Sequence, residues 1–178
     1  MVRPIALLMI CACVVSLYVA NFTEADAKAR SEQWTELFEV EPGELSSVGR
    51  NPYFVLEPGY QLYYENAGDT LTITVLDETR VVDGIETRVV EEREIEDGEL
   101  IEVSRNYFAI STRTNSVFYF GEEVDIYRDG KIINHEGAWL SGEDDARFGL
   151  IMPGQALIGS RYYQEIAPGI AMDRAEVV

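Results

Sequence analysis

Asp69-Thr70-Leu71-Thr72-Ile73-Thr74-Val75-Leu76 opens a stretch that runs to Asn134 and decides the fold. Leu71, Ile73 and Val75 share one face and Thr70, Thr72 and Thr74 the other, the period of two that suits a half-buried strand. Three Asp-Gly dipeptides then punctuate the chain, at Val82-Asp83-Gly84-Ile85, Glu96-Asp97-Gly98-Glu99 and Arg128-Asp129-Gly130-Lys131. A two-residue hairpin of the primed type needs positive φ at both central residues, which Asp tolerates and Gly adopts without steric cost. The spacing predicts an antiparallel meander with strands over 69–76, 85–95 and 100–110, and a last hairpin from 124–128 and 131–134. Val117-Phe118-Tyr119-Phe120-Gly121 has aromatics on both faces and predicts a strand buried on both sides. Glu91, Glu92, Arg93, Glu94 and Glu96 crowd the hairpin at Asp97-Gly98, and such a like-charged tip is expected to project into solvent and discourage edge pairing.

Outward from the meander, the punctuation stays that of a β-rich chain. Pro58-Gly59 fits the centre of a type II turn, with Pro presetting φ at the first position and Gly accepting positive φ at the second. The same dipeptide recurs at Pro42-Gly43, Pro153-Gly154 and Pro168-Gly169. Tyr60 to Glu65 predicts a first strand, turned into the meander by Asn66-Ala67-Gly68-Asp69. Downstream, Ser141 to Arg147 reads as an acidic loop, and 161–166 and 174–178 as further strands. Residues 28–50 read as a tether, in which Ser31 to Phe38 is expected to form a short helix burying Trp34, Leu37 and Phe38 before Pro42-Gly43 ends it. The fold class expected is all-β, an antiparallel meander forming a curved sheet or open half-barrel over 51–178, with little helix.

The first segment reads as a targeting signal. Arg3 supplies a positive start, Pro4 to Ala20 carries no charge, and Ala25-Asp26-Ala27 offers the small-x-small pattern of a signal-peptidase site. Cleavage after Ala27 is the preferred reading, a retained N-terminal anchor is its rival, and Ala12-Cys13 faintly matches a lipoprotein-processing box. Cys11 and Cys13 both fall in this segment. Cleavage therefore leaves no disulfide, thiolate metal site or cysteine nucleophile in the mature chain. The chain is expected to be exported, to the periplasm, the cell surface or the extracellular medium.

Thirty-two acids against 14 bases give a net charge of −18 over 178 residues. Phosphate backbones and anionic membranes would repel such a surface, so nucleic acid is excluded as a charge-driven partner. The length suffices for one domain with a real core.

Asn51-Pro52-Tyr53-Phe54, Pro58-Gly59, the Asp-Gly hairpins, Phe118-Tyr119-Phe120-Gly121-Glu122, Glu136-Gly137-Ala138-Trp139 and Ile151-Met152-Pro153 together resemble a group of bacterial exported proteins of unknown function. The resemblance covers most of the chain from Asn51 onward. It departs at Val55, commonly Pro in the group, and at Leu62, commonly Trp. It implies a sheet curved like the half-barrels of lipoprotein carriers and a chain that continues beyond Val178. It implies no activity and no catalytic residue.

Candidate sites are few. His135 is the sole histidine, with no second His or Cys to complete a zinc set, and its place beside Asn134 at a strand end favours the surface. No serine lies in a Gly-x-Ser-x-Gly elbow. Glu143, Asp144 and Asp145 offer oxygen ligands to calcium, but the spaced loop that calcium favours is missing, and a solvated acidic loop accounts for them better. Carboxylate pairs for glycoside hydrolysis depend on a separation that sequence does not fix. The aromatic set offers two readings. In a closed core it is packing; in a curved open sheet, Tyr63, Tyr107, Phe118, Phe120 and Trp139 would line a face for a lipid or other apolar small molecule. The function expected is that of a non-enzymatic exported domain binding an apolar ligand or an envelope protein, without a cofactor. A structural or interaction module with no ligand is the alternative, and a carboxylate hydrolase a distant third.

Overall fold

The computed structural model describes residues 33–178. The expected leader, with Cys11 and Cys13, lies outside them. The small-residue turns form as their chemistry requires. Ala67 and Gly68 stand at φ 53° and 105°, Asp83 and Gly84 at 50° and 76°, Asp97 and Gly98 at 48° and 83°, and Asp129 and Gly130 at 52° and 69°. Two consecutive positive φ values match the right-handed twist of the flanking strands and fix their register. These turns link β4 (Gln61–Asn66), β5 (Asp69–Val82), β6 (Ile85–Glu96) and β7 (Glu99–Ser111) in series, and join β8 (Val117–Arg128) to β9 (Lys131–Asn134).

The remaining strands are short. They are β1 (Leu45–Ser46), β2 (Gly49–Arg50), β3 (Val55–Leu56), β10 (Trp139–Leu140), β11 (Arg147–Met152), β12 (Arg161–Tyr163), β13 (Glu165–Ile166) and β14 (Arg174–Glu176). The main sheet is antiparallel in the order β13-β11-β8-β7-β6-β5-β4, with β1 added to β7 and with β9 and β10 added to β8. It curls into an open half-barrel. β8 is unbroken across Gly121, where the residue pattern suggests two strands. β11 occupies a run that the sequence reading leaves without a strand, pairing with β8 on one side and β13 on the other.

The sheet has a core on each face. On the first, Val75, Val90, Phe108, Ile110, Val117, Tyr119 and Trp139 are covered by Phe54 and Leu56 and by Ile151, Met152 and Ala167. On the second, Val82, Val89, Tyr107, Ala109, Phe118 and Phe120 are covered by Phe38, Val40 and Leu45 and by Leu140, Phe148 and Leu150. Residues 33–38 are not helical. Thr35 bridges Tyr162, Phe38 packs edge-on against Phe118, and Leu37 stays exposed. The compact unit runs from Trp34 to Val178, so residues 34–50, expected as a tether, are its cover layer. The physical reason is the second face itself, whose aromatics would otherwise meet water.

Asn51 shows what the Asn-Pro-Tyr-Phe motif does. It is fully buried, donates from Nδ2 to the carbonyls of Asn115 (2.9 Å) and Pro153 (3.0 Å), and accepts the Tyr53 N–H at Oδ1 (2.9 Å). One amide thus ties the opening loop to two distant turns.

Arg88 pins the other end of the cover. Its guanidinium is buried and donates to the carbonyls of Ser47 (3.0 Å), Leu76 (3.3 Å) and Glu78 (3.1 Å). Leu76 and Glu78 lie where the β5–β6 register shifts between Val75 and Thr79. An irregularity that strands carbonyls inside a protein is costly unless a donor meets them. Arg88→Met is therefore expected to lower unfolding free energy by about 3 kcal/mol, read by urea denaturation. An unchanged midpoint would show that water satisfies these carbonyls equally well.

Candidate functional site

Strict alternation along β8 would put Phe118, Phe120 and Glu122 on one face. Gly121 breaks it. Asn106 pairs with Glu122 and Phe108 with Tyr119, so one residue of β7 faces two of β8, the signature of a bulge. Gly121 stands at φ 135°, and a Cβ there would lie 2.4 Å from the Trp139 carbonyl oxygen, so only glycine admits β10 at this distance. The bulge carries Glu122 onto the Tyr119 face and Glu123 onto the Tyr107 face.

The two carboxylates then meet opposite surroundings. Glu123 pairs with Arg80 and accepts the Tyr107 hydroxyl (2.9 Å); Arg80 comes first among the partners that hold its carboxyl below the usual range. On the same face Arg105 joins Glu91 (3.3 Å) and Asp125 (3.6 Å), and Asp125 meets His135 (3.0 Å). Acid and base alternate across this surface.

The other face has no such ladder. Glu92 and Glu94 of β6, Glu102 of β7 and Glu122 of β8 share it, and among the described residues none of them forms an ion pair. Burial pushes the Glu122 carboxyl up to about 7, the charges of Glu102 and Glu92 push the same way, and the Trp139 indole N–H acts against them. Burial likewise raises Glu92 and Glu102, helped by Glu94. Burial also raises Glu165, which accepts the Asp173 backbone N–H (3.2 Å) and feels the Asp173 and Glu122 charges. Beneath them Tyr119 donates to Asn106 Oδ1 (2.5 Å), and Asn106 Nδ2 donates to Ser104 Oγ (3.1 Å).

A cleft of about 190 Å³ opens beside Glu122. Ala138, Leu140, Ala146, Ala167, Pro168 and Ile170 form apolar walls, with Trp139 at one side and Glu143 and Asp144 among its lining residues. Trp139 is 5% exposed and its Nε1 has no partner in hydrogen-bonding geometry. Since that N–H also lowers the Glu122 carboxyl, it faces the acid without closing a bond to it.

The aromatic residues expected to form one ligand face are divided. Tyr107, Phe118 and Phe120 are buried in the second-face core, Trp139 is buried in the first, and Tyr63 is 60% exposed on β4, its hydroxyl near Glu65 (3.4 Å). Phe148 takes up Phe118 edge-on and stacks on Phe120, so these rings meet protein. Glu143, Asp144 and Asp145 lie on an exposed loop, and among the described residues no three His, Cys, Asp or Glu side chains gather to hold a metal ion. His135 is exposed, with Nδ1 2.8 Å from the Val124 carbonyl oxygen. Sequence reasoning passed over Glu122; the available signal was Gly121 within an otherwise apolar strand, a mark of a bulge.

Comparison with models of known families, with curated proteins and with solved structures finds no match. The resemblance drawn above therefore rests on its motifs alone.

The raised carboxyls fix a pH dependence. An acid whose folded pKa exceeds its unfolded value binds more protons in the native state, so stability falls as pH rises between the two. For Glu122 that window runs from the ordinary 4.5 to about 7. The melting temperature is expected to rise as pH is lowered from 8 to 5.5, and Glu122→Gln to flatten part of that slope. A profile that is level or falls toward acid would contradict the burial of these groups.

Proposed function

We propose that this chain is a non-enzymatic interaction module of an exported protein, and that it engages a partner protein at the carboxylate-rich end of its sheet. The contrast between the two faces carries this reading. Where acids serve stability, as at Glu123 and Glu91, the fold supplies Arg80 and Arg105. Around Glu122 the described residues supply none and leave a cleft. Unpaired, partly buried acids weaken the isolated domain, a cost that complementary charge on a partner would remove. Export rests on Arg3, the uncharged run after it and Ala25-Asp26-Ala27.

The structure gives less support to an apolar cargo. The rings expected to line its site are packed against other side chains, and the cleft beside Glu122, about 190 Å³, falls below the ~300–1,000 Å³ typical of small-molecule sites. A hydrolytic reading draws on Glu122, since a carboxyl near 7 in a cleft is suited to acid–base chemistry. The other unpaired acids lining that cleft, Glu143 and Asp144, lie on an exposed loop, whereas a catalytic carboxylate pair acts at a defined separation.

Native mass spectrometry of the exported protein is expected to give a bare mass with no uptake of added fatty acid or phospholipid. A photo-crosslinking side chain at Asp144, on the rim, is expected to trap one discrete protein in the producing cell, whereas one at Asp97, on the hairpin tip, traps none. A lipid-sized adduct, or no adduct from Asp144 or Glu143, would overturn the reading.

A further inference from the structure

We infer that the cleft beside Glu122 receives a primary alkylammonium group on a short aliphatic stem, the chemistry shared by a lysine side chain and a free diamine. This deepens the proposed function and rests on it. The walls, Ala138, Leu140, Ala146, Ala167, Pro168 and Ile170, are apolar, and the lining residues with charge are all acids: Glu122, Glu123, Glu143 and Asp144. Glu123 is already paired with Arg80. The cleft is small, about 190 Å³, which suits a short aliphatic stem and excludes a lipid chain. A bare metal ion would leave the apolar walls unused, and the acids do not gather into a metal-binding set.

The orphaned Trp139 N–H is the second, independent sign. It is buried, lines the cleft and faces a carboxyl to which it does not bond. Beside the cleft Glu122 stands among like charge: Glu92 from β6, Glu102 from β7, and Glu165 with Asp173 from the β13 side. Tyr119 and Trp139 are its neutral neighbours, and Glu143 and Asp144 face it from the loop. An ammonium in the cleft favours the ionised carboxyl, and a carboxylate is the acceptor that the indole N–H lacks. Binding the cation thus removes one proton from Glu122 and completes the Trp139 hydrogen bond. Affinity must then rise with pH through about 7.

The test is calorimetric titration of the full chain with Nα-acetyl-lysine amide and with 1,4-diaminobutane, using Nα-acetyl-norleucine amide as the uncharged match and calcium chloride as the metal control. At pH 8 at least one amine is expected to bind, the norleucine amide and calcium are not, and affinity is expected to be about tenfold weaker at pH 6, as linkage to one proton requires. Binding of the lysine amide alone points to a protein source, of the diamine alone to a free amine, and both outcomes support the inference. Glu122→Gln is expected to weaken binding at least tenfold while its melting temperature at pH 8 holds or rises. Glu143→Gln, on the exposed loop, gives a several-fold loss that does not depend on the core. The Trp139 indole N–H resonance is expected to shift with the amine. No amine binding at pH 8, equal binding by Glu122→Gln, indifference to pH, or calcium binding in place of the amines would overturn the inference. A crosslinked partner at Asp144 alongside any of these results would leave the proposed function standing and remove only this one.

Discussion

Tyr107 to Ile110 on β7 and Val117 to Phe120 on β8 have no solvent-facing side. Large apolar side chains gain about 1.5–3 kcal/mol each on burial, and along these strands successive rings point to opposite faces. One sheet cannot bury both of its faces on itself, so the rest of the chain is placed by the need to cover them. The opening motif from Asn51 and residues such as Ala167 cover one face; Phe38, Val40 and Leu45 cover the other, where Phe148 and Leu150 of the neighbouring strand β11 join them. Asn51 and Arg88 hold those covers down by meeting carbonyls that the irregular chain leaves inside. A carrier-like half-barrel would keep one face open for its cargo. Here both are occupied by the chain itself.

Cover ends where the strands run on. Beyond Asn106 and Gly121 the same sheet turns polar, and its faces part ways. One becomes a ladder of arginines and acids in which charge is matched locally; the other holds acids that burial and mutual repulsion drive toward protonation. The bulge at Gly121 decides which acid goes where. By shifting the alternation one step it gives Glu123 to Arg80 and Glu122 to the Trp139 cleft. The polarity of the site is thus set by a single residue without a side chain.

The meander was legible in the residues because its determinants are local. Asp83-Gly84, Asp97-Gly98 and Asp129-Gly130 specify their turns by the φ values they tolerate, and Leu71, Ile73 and Val75 specify a face by spacing alone. Pairings across long separations were not legible. Nothing near Phe148 announces that β11 will join β8, and nothing near Phe38 announces an aromatic partner at Phe118, since both contacts depend on an apolar face created elsewhere. Residue type alone does not say which of the aromatics share a face. Phe118 and Phe120 do share a face with Tyr107, but Trp139 lies across the sheet and Tyr63 on an outer strand whose side chains are largely exposed. The site was hidden for the same reason: Glu122 is one acid among many until the bulge, the Trp139 ring and the charges of Glu92 and Glu102 are brought around it.

The most direct measurement is a carbon-13 titration of the Glu122 side-chain carboxyl, followed together with the Trp139 indole N–H resonance. The account predicts a midpoint near 7 for Glu122, with the indole signal moving through the same midpoint as its facing carboxyl ionises. A midpoint at the ordinary glutamate value near 4.5, or an indole signal indifferent to the titration, would mean that the acid is solvated and that the face carries no built site.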